Sequence, residues 1–138
     1  MGAPWAPPSP GDIVWCHLPH LPKREPGPKP RPALVCEVTE REDGVAVTVA
    51  YGTSQHVKRL HAGEFAITKP GHRAAYDSAG LSFDTRFDLR QSVELPWTTD
   101  FFAVPPRAPH GQNPKLGSLH ASMMRAAQAA SRALRDDA

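Results

Sequence analysis

The chain has 138 residues and a formal net charge of +2. Its length suits one domain of roughly 100–200 residues, and so small a net charge excludes capture of nucleic acid by bulk electrostatics alone. A 40% hydrophobic content supports a modest core, yet no apolar run approaches the ~18 residues of a membrane span. Fourteen of the sixteen prolines gather at 4–10, 19–32 and 105–114. They mark extended or loop segments, because proline donates no backbone hydrogen bond and biases its predecessor away from helix.

Residues 1–10 read as a flexible Pro-rich extension, and 11–138 as a single domain. "GDIVWCHL" (11–18) opens with a Gly11-Asp12 turn and continues as a strand, with Val14, Cys16 and Leu18 on one face. Segment 19–32 then carries Lys23, Arg24, Lys29 and Arg31 against the single Glu25, which makes a basic loop. "ALVCEV" (33–38) and "VAVTVAY" (45–51) flank a hairpin turn, "REDG" (41–44). In the second of these strands Val45, Val47, Val49 and Tyr51 alternate with Ala46, Thr48 and Ala50, the period of a half-buried sheet. Gly52, Thr53 and Ser54 follow where that strand should stop.

"EFAIT" (64–68) is a short strand. "GLSFDTRFDLR" (80–90) alternates most cleanly, with Leu81, Phe83, Phe87 and Leu89 one way and Ser82, Asp84, Arg86, Asp88 and Arg90 the other. "DFFAV" (100–104) is a further strand before the proline-bearing linker 105–114. From about 116 to 135 the period turns helical, with Leu119, Met123, Ala127, Ala130 and Leu134 on one face and Ser118 as N-cap. The expectation is a mainly β (α+β) fold: a small SH3-like barrel or twisted antiparallel sheet with a C-terminal helix.

Cys16 and Cys36 lack CxxC spacing and lie in apolar runs, so both are expected to be buried thiols in a reducing compartment. No signal peptide is legible, and Ala6 stands where a myristoylation signal needs Ser or Thr. A cytoplasmic location is therefore expected. Seven histidines are present, but no HExxH and no third ligand at suitable spacing, so no metal site is expected. Neither a GxSxG elbow nor a phosphate loop occurs, and no cofactor is expected. What remains is Arg31 after the basic loop, a hydroxyl pair at a strand end, and nearby histidines. A guanidinium fork braces a phosphoryl group as charge builds on it, and a hydroxyl orients the same group. In RNA the 2′-hydroxyl is itself a nucleophile, so cleavage needs positioning, a proton acceptor and charge stabilisation rather than a metal.

The order of these blocks resembles the MazF/PemK family of toxins from type II toxin–antitoxin systems. "GDIVWCHLP" resembles the family's opening strand, and "RPALVCEV" its Arg-Pro followed by an apolar strand. "VAVTVAYGTSQ" stands where the family has a strand ending in a Thr-Ser or Thr-Thr pair, with Tyr51-Gly52 in place of Pro and an apolar residue. "GLSFDTRFDLRQSVELP" resembles the late strand region, where Arg90-Gln91 replaces a common Asp-Gln. "LGSLHASMMRAAQAA" resembles the C-terminal helix.

The resemblance implies an SH3-like homodimeric toxin, an endoribonuclease that cuts single-stranded mRNA and is neutralised by a cognate antitoxin. It also implies Arg31 as the catalytic arginine and Thr53, with Ser54 beside it, as the catalytic hydroxyl. His17 or His20 is expected to shuttle protons, since imidazole titrates near neutrality. Lys23, Arg24, Lys29, Arg86, Arg90 and Gln91 are expected to contact substrate. Two alternatives stand beside this reading: a non-catalytic SH3-like RNA- or protein-binding module, and a CcdB-like gyrase-directed toxin acting through the helix end "RALRDDA".

Overall fold

A computed structural model describes residues 3–136; the first two residues of the extension and the last two of the "RALRDDA" tail lie outside it. Six strands are present: β1 (Asp12–Cys16), β2 (Arg31–Arg41), β3 (Gly44–Thr53), β4 (Glu64–Ile67), β5 (Thr85–Pro96) and β6 (Lys115–Ser118). Two helices join them, α1 (Arg73–Ser78) and α2 (Met124–Asp136). The strands form one antiparallel sheet in the order β4-β5-β3-β2-β1-β6. The mainly β architecture with a C-terminal helix is as expected. The sheet, however, is open, with β4 and β6 as its edges, so the barrel does not close.

The β2–β3 hairpin organises the sheet. Its two-residue turn closes on the pair Arg41–Gly44, where Gly44 adopts φ 129° that side-chain-bearing residues avoid. Alternation then sends Val47 and Val49 to one face with Val14, Cys16, Ala33 and Val35, capped by Trp97 and Phe102. The other face holds Ile13, Leu34, Ala50, Phe65 and Phe87 against Met123 and Ala130 from the helical end. Burial on both faces explains why β1 is apolar at consecutive positions rather than alternating.

Several elements depart from expectation for identifiable reasons. Strand β5 begins at Thr85 and runs to Pro96, so residues 80–84 are a loop; Leu81 is buried but Phe83 is 71% exposed. "DFFAV" is not a strand: the Phe101 and Phe102 amides both donate to the Thr98 carbonyl, leaving a single bridge between Phe102 and Cys16. "KLGS" pairs with β1 instead of starting the helix, and the helical segment opens with a 3-10 turn at Ala121–Met123. His120, not Ser118, caps that turn, its Nδ1 accepting from the Ser122 amide at 3.1 Å. Cys16 is buried, whereas Cys36 is exposed. It occupies a bulge between Val35 and Glu37, where an extra residue is turned out of the ladder. The extension touches the sheet domain through Trp5. Trp5 meets Trp97 edge-on with ring centroids 5.8 Å apart, and the Trp97 indole donates to the Trp5 carbonyl at 3.2 Å.

Candidate functional site

The site lies at the end of the β2–β3 hairpin remote from its turn, where β2 starts and β3 finishes. Strand β1 fixes the start of β2 through the pairs Cys16–Arg31 and Trp15–Pro32. Strand β5 fixes the end of β3 through Thr53–Arg86. Between β2 and β3 the register runs as far as Ala33–Tyr51. One residue further, the Pro32 carbonyl oxygen lies 2.4 Å from where a Cβ on Gly52 would sit. The next residues along are Arg31 and Thr53 themselves.

The strand therefore does not stop at Tyr51. Gly52 carries it onward because only a residue without a side chain fits between the Pro32 carbonyl and the Phe87 ring, 3.0 Å away on the same measure. Its role is close approach of two backbones, not a turn. The chain turns after Thr53, whose Oγ1 accepts from the Gln55 amide at 3.2 Å. Using the oxygen in that way leaves the hydroxyl proton available to a ligand.

Arg31, Thr53 and Ser54 line one cleft of about 570 Å³, within the ~300–1,000 Å³ typical of small-molecule sites. Its walls include Trp15, Leu81, Phe83 and the proline-rich run Pro105-Pro106-Arg107. Arg31 is exposed and joins none of the ion pairs among the described residues. Its fork is thus free for an oxyanion, whereas Asp77, the carboxylate lining the same cleft, is held by Arg73 at 3.1 Å on the surface of α1.

The basic loop 19–32 contributes only its last residues, Pro30, Arg31 and Pro32, to this cleft. The rest is tied down elsewhere. The His17 ring bonds the Gly27 carbonyl through Nδ1 at 2.9 Å, and since a carbonyl only accepts, Nδ1 carries the proton. The Gly27 amide returns a bond to the His17 carbonyl, and the Tyr51 hydroxyl donates to the carbonyl of buried Pro19. Burial pushes the Tyr51 phenol up to about 12, with a smaller contribution from Cys16. His17 and His20 are not among the cleft residues. Lys23 and Arg24 line a second cavity, of about 510 Å³, against Val93–Pro96 and Phe101, and Lys29 is exposed outside both.

Arg86, Arg90 and Gln91 are also not gathered at the cleft; they surround two carboxylates. Arg86, its side chain only 15% exposed, pairs with the wholly buried Glu64 carboxylate and donates Nε–H to the Gln55 carbonyl at 3.1 Å. Arg90 bonds Asp88 at 3.2 Å and approaches Glu64 at 3.8 Å, while Gln91 donates to Asp88 at 3.2 Å. A bulge in the β3–β5 pairing between Ala50 and Tyr51 lets residues 89–91 loop out around these groups. This network braces β4, β5 and the end of β3, where Arg86 stands opposite Thr53 in the ladder.

Three cleft residues escaped the sequence: Phe83, Arg107 and Asp77. Phe83 fits the alternation of 80–90 and so reads as core. Arg107 sits among prolines that read as linker, and Asp77 belongs to a six-residue helix without a capping side chain. Among the described residues no three His, Cys, Asp or Glu side chains converge as metal ligands, and no helix is long and apolar enough to cross a membrane. Comparison with protein-family models and with curated proteins found no match.

Proposed function

We propose that the protein is a metal-independent endoribonuclease of the MazF/PemK toxin type, cleaving single-stranded RNA in this cleft. One observation carries the reading: an unpaired arginine and a strand-end hydroxyl pair, far apart in sequence, line the same cleft. In the reaction the 2′-oxygen forms a bond to phosphorus as the bond to the 5′-oxygen breaks. A 2′,3′-cyclic phosphate and a free 5′-hydroxyl result. The proton of the 2′-hydroxyl passes to an acceptor, and the departing 5′-oxygen takes one up. Arg31 braces the non-bridging oxygens as charge builds on them, and the Thr53 hydroxyl, with Ser54 beside it, donates to the same phosphate. Asp77 is the cleft's carboxylate acceptor, replacing His17 and His20 in that role. A cytoplasmic location, a homodimer and neutralisation by a cognate antitoxin belong to the same proposal.

Incubation of purified protein with mixed-sequence RNA in EDTA is the direct test. Cleavage by the wild type and its loss in Arg31→Ala are expected. No cleavage by the wild type, or equal cleavage by the variant, refutes the assignment. A non-catalytic RNA-binding module is the second reading, favoured by the ion pair that already engages Asp77. Tight binding without products selects it. The gyrase-directed reading gains no observation.

A further inference from the structure

Phe83 is the most exposed large hydrophobic side chain among the described residues, at 71% of its free area, and it lies on the cleft wall. An exposed phenyl ring is costly to keep in water, and this one is not on a loose tip. The Thr85 hydroxyl donates to the Phe83 carbonyl at 2.8 Å, and the Asp84 carboxylate accepts from the Lys69 amide at 2.7 Å. Leu81, two residues earlier, is anchored in the core. The backbone is thus held on both sides of a ring that faces solvent.

Arg107 on the same cleft is similarly presented. The Ala108 amide donates to the Pro105 carbonyl at 2.9 Å, closing a turn with Pro106 and Arg107 at its centre. Pro105 is buried and Arg107 exposed, so a short rigid arm carries a guanidinium on the cleft wall. None of the ion pairs among the described residues includes it.

We propose that Phe83 and Arg107 form a nucleotide subsite for single-stranded RNA beside the Arg31–Thr53 centre, Phe83 stacking on one unpaired base and Arg107 holding a neighbouring phosphate. The subsite rests on the ribonuclease reading for its substrate class. A π-face with a flanking guanidinium is the arrangement that single-stranded nucleic acid selects, because every base offers a face to stack and every linkage a charge. Two unpaired guanidinium groups in the cleft, against one carboxylate already held by Arg73, give it the sign that a phosphodiester chain requires.

Binding of a labelled 2′-O-methyl RNA of mixed sequence tests the subsite apart from the chemistry, since blocking the 2′-oxygen prevents cleavage. Phe83→Ala is expected to weaken binding about tenfold or more, and Phe83→Trp to retain it. On an abasic oligomer of equal length, which keeps phosphates and lacks bases, Phe83→Ala is expected to bind as the wild type does. Arg107→Gln is expected to lower the slope of log affinity against log salt by about 0.7. Unchanged affinity in Phe83→Ala, or an equal loss on the abasic oligomer, overturns the subsite even where the wild type cleaves RNA. Wild-type protein that binds no 2′-O-methyl RNA overturns it in favour of a peptide-binding cleft. Binding that depends on Phe83 in a protein that fails to cleave leaves the subsite standing and refutes only the catalytic reading.

Discussion

Replacing Gly52 by alanine probes the backbone contact on which the candidate site depends. The new Cβ would lie 2.4 Å from the Pro32 carbonyl oxygen and 3.0 Å from the Phe87 ring. Ordinary contact begins near 3.4 Å, so β2 and β3 must part by about 1 Å at this point. Neither neighbour is a flexible side-chain end: one is backbone, and the other is a fully buried ring stacked on Phe65 at 5.5 Å. Overpacking of this kind costs about 1–3 kcal/mol, or a fall in Tm of about 4 °C for each kcal/mol in a domain of this size. Against a total of about 5–15 kcal/mol the variant stays folded at 25 °C. Its activity can therefore be measured separately.

Arg31 and Thr53 are the adjoining residues on the two strands forced apart, and a misplacement of about 1 Å lowers rates on the order of 100-fold. The expected result is a urea midpoint shifted down with an unchanged m-value, and RNA cleavage reduced far beyond the loss of folded protein. Stability within about 0.5 kcal/mol of the wild type would show that the two backbones are not in contact. A destabilised variant with full activity would show that the spacing of Arg31 and Thr53 is not what sets the rate.

Glu64→Gln removes the wholly buried charge that holds Arg86, and stability is expected to fall by about 3–5 kcal/mol; a loss below about 1 kcal/mol in urea titration would mean that the Gln55 carbonyl satisfies Arg86 unaided. Tyr51 is only part-buried, yet desolvation in the fold pushes its phenol from about 10 up to about 12. The stability tied to its proton is therefore complete below pH 10 and lost as pH rises from 10 to 12. Tyr51→Phe is expected to flatten the alkaline fall in urea midpoints over that window, leaving the slope due to Cys16, Cys36 and Tyr76, which burial also pushes up; superimposable profiles refute the assignment. In native protein iodoacetamide is expected to label Cys36 and spare Cys16, as mass spectrometry of the peptides would report. Labelling of Cys36 is expected to run slower than for a free thiol, because desolvation raises its pKa despite the opposing Ala50 amide.

The β2–β3 hairpin was legible because alternation in β3 and a Gly-bearing turn agree, while the bulge that turns Cys36 out of β2 left no mark in the pattern. The buried helix face through Met123 and Ala130 was legible for the same reason, since its period is long enough to be distinctive. Arg31 and Thr53 were legible as residue types, and what brings them together, the Gly52 contact, was visible only as an oddity. Phe83 was misread because alternation does not report where pairing begins: residues 81–84 keep the pattern without the ladder. The ion pairs of Arg86 and Arg90 were not legible, because "outward" from a strand means solvent only if that face is bare. Here it meets Glu64, a buried carboxylate on the neighbouring strand β4. The position of His17 depends on a loop whose course is set by Pro19 and Gly27, and no local pattern encodes that.

The open sheet also has a consequence for self-association. Its two edges, β4 and β6, are each four residues long. One is buried at every position and packed beneath α2, and the other begins at Lys115 directly after Pro114. A growing β-aggregate needs a long, flat run of unsatisfied amides and carbonyls as a template. Only β3 is flanked along its length; β2 has β1 beside it only over Arg31–Leu34 and β5 has β4 only over Thr85–Asp88, so the edge another chain could extend lies on the outer halves of β2 and β5 rather than on the two short edge strands.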